Sequence, residues 1–102
     1  MTKDPQIATI VKEVLELIKD ISPGKSVELR VPPYGAIQCV AGNNHRRGTP
    51  PNTVEMSGQT LVKLISEPAL WVTLCESGEV RASGLLSDLS NLFAQAAVKY
   101  RP

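Results

Sequence analysis

Between Asp4 and Ile21 the residues Ile7, Ile10, Val11, Val14, Leu15, Ile18 and Ile21 recur every three or four positions. That spacing lays one apolar stripe along one side of an α-helix, and the rest of the chain must cover it. Asp4 is placed to accept from the first free helical N–H groups, Pro5 fits the first turn, and Ser22-Pro23-Gly24 stops the helix. The period then changes at once. Val27, Leu29 and Val31 alternate with Glu28 and Arg30, the pattern of a strand with one buried and one wet face. A chain that opens with a one-sided helix and a one-sided strand has to stack helices on a sheet, so the fold class expected is α+β. With 102 residues there is core for one domain, spanning 1–102, and not for two.

The remaining elements follow from turn residues and periodicity. Pro32-Pro33-Tyr34-Gly35 turns the chain into a second strand, Ala36 to Val40. The stretch Gly42 to Asn52 is dense in turn formers and reads as the longest loop. Thr53 to Met56 is a short strand, Ser57 a cap, and Leu61, Val62, Leu64 and Ile65 form the inner face of a middle helix. Leu70 to Cys75 fits two readings. Its alternation and composition favour strand, yet Pro68 suits a first helical turn and Gly78 a left-handed stop. Val80 to Ser83 alternates as a strand ending at Gly84. Leu85, Leu89, Leu92, Phe93, Ala96, Ala97 and Tyr100 then predict an amphipathic last helix capped by Ser87.

Charge and composition exclude several function classes. Eleven basic residues against ten acidic ones give a formal charge of +1, too little to gather nucleic acid. No apolar run nears the roughly 20 residues of a membrane span, and the start MTKDPQ lacks the order of a signal peptide. The expected location is the cytoplasm. There Cys39 and Cys75, which have no partners at metal-ligand spacing, are expected to be reduced packing residues.

Candidate chemistry is sparse. His45 is the only histidine, and one His without clustered thiols or carboxylates supplies no metal site. A Cys39–His45 nucleophile lacks an orienting third group, so no catalytic residue and no cofactor is expected. The loop pair Arg46 and Arg47 beside His45 is the strongest binding candidate, because guanidinium forks hold carboxylate or phosphate bidentately. The alternative for the pair is structural: one arginine bonded to Glu55 or Asp88, the other in water. Tyr34 is placed either at a pocket mouth or against the neighbouring prolines. Trp71 is expected in the core or a cavity wall.

Taken in order, these elements, with Thr53-Val54-Glu55-Met56-Ser57 before the middle helix and Gly78-Glu79-Val80-Arg81-Ala82-Ser83-Gly84 before the last, resemble the sterol-carrier-protein-like fold. More narrowly, Pro32-Pro33-Tyr34-Gly35-Ala36-Ile37-Gln38-Cys39-Val40 with His45-Arg46-Arg47-Gly48-Thr49-Pro50-Pro51-Asn52 resembles a family of small actinobacterial sterol-carrier orthologues. The second block and the middle helix are also similar to the C-terminal domain of mycothiol-dependent maleylpyruvate isomerases. The resemblance implies a curved, mostly antiparallel sheet of four or five strands, helices on one face, and helix rather than strand over Pro68 to Glu76. It further implies a non-enzymatic carrier of a small apolar or amphipathic molecule such as a lipid, with Tyr34, His45, Arg46, Arg47 and Trp71 as the binding set. The competing expectation is a ligand-free module that uses Pro32 to Asn52 to bind a protein partner or its own copy.

Overall fold

The structure is a computed structural model that describes residues 3–42 and 52–100. The first helix, α1, runs Pro5–Ile21, and Asp4 caps it by accepting from the N–H groups of Gln6 (2.9 Å) and Ile7 (3.2 Å). Its stripe is buried at Val11, Val14, Leu15 and Ile18. Strands β1 (Val27–Val31), β2 (Gly35–Cys39), β3 (Asn52–Met56) and β4 (Val80–Ser83) form one sheet in the order β2-β1-β3-β4. The pairs β1/β2 and β3/β4 are antiparallel and the central pair β1/β3 is parallel. The sheet is therefore mixed, open and four-stranded.

Alternation sets which way each strand faces. Val27, Leu29, Val31, Cys39, Val54, Met56 and Val80 are all buried on the helix side. On the other side Glu28, Arg30, Glu55 and Arg81 form a row across adjacent strands, with Arg30 bonded to Glu28 (2.7 Å) and Arg81 to Glu55 (2.7 Å). These pairs are partly exposed and contribute little to stability, but they mark that face as wet.

The helices α2 (Gly58–Ser66), α3 (Trp71–Ser77) and α4 (Ser90–Tyr100) complete the second layer. Ser57 caps α2, its hydroxyl oxygen accepting from the Thr60 N–H at 3.1 Å. The ambiguous segment is helical, a single 3-10 turn over Pro68–Leu70 leading into α3. The β-leaning composition loses because Trp71 and Leu74, one helical turn apart, are both buried while Val72 is 62% exposed. Gly78 ends the helix with φ of 84°, the left-handed conformation glycine tolerates best.

Two expectations about the last helix are corrected. It begins at Ser90, so Leu85 lies outside it and is 100% exposed rather than part of an inner face. Ser87 does not cap it, because its hydroxyl donates to the Gly84 carbonyl at 2.7 Å. The Asp88 carboxylate accepts from the Ser90 N–H at 3.0 Å instead.

Two junctions tie α1 to β2. At one end the Asp4 N–H donates to the Tyr34 hydroxyl at 3.1 Å. At the other the Val40 N–H donates to the Ser22 carbonyl (2.8 Å), while the Val40 carbonyl accepts from the Ser26 N–H (3.0 Å). Val40 makes both bonds with φ of 67°, a costly conformation for a β-branched residue.

Candidate functional site

The described members of the predicted binding set fall in different places. Trp71 is 6% exposed in the core, its ring 6.0 Å from that of Phe93 and tilted by 33°. Tyr34 is half-buried, bonded to Asp4, and lines a shallow hollow of about 290 Å³ between α1 and β2. His45, Arg46 and Arg47 lie outside the described residues.

A feature absent from the sequence expectation sits at the opposite end of β2. The C-terminus of α1, the end of β2, the segment joining β4 to α4 and the first turns of α4 enclose a cleft of about 410 Å³. Its apolar wall is Ile21, Val40, Leu85, Leu86, Leu89 and Leu92, and its rim is Ser22, Asp88, Asn91 and Gln95. Leu85 is fully exposed and Leu86 is 43% exposed at this mouth. The Ser90 hydrogen bonds hold the Asp88 carboxyl below the usual carboxylate range, so the rim keeps one negative charge at neutral pH. The only sequence signal for this cleft is the leucine pair after Gly84, of which helical spacing assigns Leu85 to the last helix.

Asn52 braces the mouth. Its side-chain amide donates to the Ser26 carbonyl (2.8 Å) and its amide oxygen accepts from the Leu86 N–H (3.0 Å). Gly42 sits against Ser26 and Leu86, and a side chain there would collide with Ser26. The two described residues that flank 43–51 therefore both lie at this mouth.

Chemistry elsewhere is quiet. Glu55, a suggested partner for the loop arginines, is already bonded to Arg81, with Arg30 at 3.9 Å. No cluster of three or more metal-ligating side chains occurs among the described residues, and no described helix is long and apolar enough to cross a membrane. Both cysteines are free, Cys39 on β2 and Cys75 on α3.

Burial pushes the Cys39 thiol up to about 11, which removes the thiolate a nucleophile needs. The folded chain thus keeps a proton that the unfolded chain releases from about pH 9. This contribution to stability is complete below about pH 9 and is lost as pH climbs towards 11. In the native protein we expect a maleimide to label Cys75 quickly and Cys39 only through opening of the fold. Denatured protein should give two equivalents, and equal labelling rates in the native state would contradict the placement of Cys39.

A helix layer on one face of an open mixed sheet, with an apolar cleft at one end, defines a sterol-carrier-like α+β domain. The family model described as "Bacterial SCP ortholog" matches residues 3–94, and the chain belongs to that family. No curated protein matches it. Among solved structures it is similar to a "UbiJ-SCP2 Ubiquinone synthesis protein", at 20% identity and a TM-score of 0.53, covering 100% of this chain and 98% of that one. It also matches the sterol carrier protein domain 2 of Helicoverpa armigera, at 21% identity and a TM-score of 0.46, with coverage of 100% and 98%.

Proposed function

We propose that this domain is a non-catalytic carrier whose cleft holds the apolar part of one small amphipathic molecule, a lipid or a compound of similar polarity. The carrying observation is the cleft beneath Leu85 and Leu86: its volume of about 410 Å³ lies within the range of small-molecule sites. Membership of the family and the titles of its structural neighbours support the same reading. Asp88, Asn91 and Gln95 offer hydrogen bonds to the polar end of the molecule. We assign Arg46 and Arg47 to an anionic head group, because the flanks of their segment, Gly42 and Asn52, are anchored at this mouth. Tyr34 and Trp71 serve the fold in this reading, the first as a tie to α1 and the second as core.

The test uses cis-parinaric acid as a fluorescent probe, beside native mass spectrometry of protein purified from its host. Wild-type protein should bind the probe. Leu86→Lys should weaken binding about tenfold or more, since it puts a charge in the apolar wall, and should leave the unfolding midpoint nearly unchanged. Arg46→Gln and Arg47→Gln should weaken binding of the acid more than that of the corresponding alcohol. A wild-type protein that binds neither probe and carries no retained molecule would overturn the proposal.

A further inference from the structure

The edge of the sheet formed by β2 has the marks of a contact surface. In the β1/β2 pair Val31 is laddered to Gly35 although Pro32 carries no N–H, so Val31 and Gly35 exchange the bonds themselves, and this fixes the alternation of the antiparallel ladder. Val27 with Cys39, Leu29 with Ile37 and Val31 with Gly35 are then the hydrogen-bonded pairs. The backbone groups of Ala36 and Gln38 consequently point away from β1. Among the described residues neither of them has a hydrogen-bond partner on that side.

Natural edges of this kind are usually blunted by charge, proline or a bulge. The far edge, β4, carries Arg81, bonded to Glu55, and packs against α3. By contrast β2 has the sequence Gly-Ala-Ile-Gln-Cys, with no charged side chain, and Pro32 and Pro33 lie in the turn before it. Gly35, Ala36 and Gln38 are exposed.

We propose that two copies of this chain pair antiparallel through β2, about a two-fold axis at Ile37. The strand is self-complementary about that residue. Ile37 faces Ile37 across the axis, and on either side of it Ala36 faces Gln38 of the second copy, each of these two pairs exchanging two backbone hydrogen bonds. The helix above the edge is matched as well. Asp4 is tied to Tyr34 and Ser22 to Val40, so an axis through Ile37 passes near the middle of α1, between Lys12 and Glu16. Both side chains are exposed and both line the hollow beside β2. The symmetry runs the two α1 helices antiparallel, so each Lys12 meets a Glu16. This contact uses none of the residues of the ligand cleft's leucine wall, and it stands or falls apart from the carrier reading.

In this register Ala36 faces Gln38 of the second copy on the wet side of the sheet, where like charges repel and opposite charges attract. The experiment is sedimentation equilibrium of wild type and two double variants over about 5 to 200 µM, the range in which mass action reveals a weak dimer. Wild type should be dimeric at the upper end. Ala36→Glu with Gln38→Glu puts like charges in opposition twice and should weaken the dimer about tenfold or more. Ala36→Glu with Gln38→Lys should restore it, and within each chain it also suits the neighbours Arg30 and Glu28. Circular dichroism melts of both variants separate dissociation from unfolding. A wild type monomeric throughout, or a glutamate pair that dimerises as tightly as the mixed pair, would overturn the proposal.

Discussion

Phe93→Ala should cost about 3–5 kcal/mol of folding stability, the usual range for removing a large buried aromatic side chain. Phe93 is fully buried, faces the helix side of the sheet from α4, and is the ring against which Trp71 packs. Its loss opens a cavity between α4 and α3 that small neighbours such as Ala96 and Ala97 cannot fill. Small domains are stable by only about 5–15 kcal/mol, so the variant should sit near the edge of folding. Val98→Ala, five residues further along α4 but 75% exposed, should change stability by less than about 0.5 kcal/mol. Urea midpoints measured side by side would decide it, and similar values would mean that α4 turns a different face to the sheet.

Gly24→Ala should cost about 3 kcal/mol through a different route, backbone against side chain. A methyl group at Gly24, whose φ is 154°, would collide with the carbonyl of Val40 and the amide of Ala41. These are main-chain atoms, so no rotamer change relieves the contact. The collision falls on the junction where Val40 bonds Ser22 and Ser26. The variant should therefore lose stability and also lose hydrogen-exchange protection at the Val40 amide. A thermal midpoint within about 2 °C of wild type would show that the junction yields more easily than its geometry implies.

The layers of the fold were legible in the sequence because burial on one face writes a period into the chain. The stripe from Ile7 to Ile21 and the alternation from Val27 to Val31 each have one physical reading; Asp4 and Ser57 punctuate through their side chains and Gly78 through its lack of one. At Leu70 to Cys75 the local preference was β, and packing of Trp71 and Leu74 overrode it; Pro68 and Gly78 kept the helical reading open, and resemblance to a known fold decided for it. Leu85 was misassigned for the converse reason, since its spacing from Leu89 and Leu92 mimics a helical face while the chain there is still a turn held by Ser87. The cleft was illegible because its wall is assembled from three separate stretches, Ile21 with Ser22, Val40, and Leu85 to Gln95, that no local pattern connects.

The ties at the two ends of α1 also determine how the molecule yields under load. A helix pinned to one strand at Asp4–Tyr34 and again at Ser22–Val40 behaves as a bracket: it cannot slide or tilt without breaking a bond at one end. The opposite wall of the cleft, Gly84 to Leu89, is held by the single-residue brace of Asn52 and by the bonds of Ser87 to Gly84. Compliance is therefore one-sided: the Gly84 to Leu89 segment yields before α1 and the sheet do.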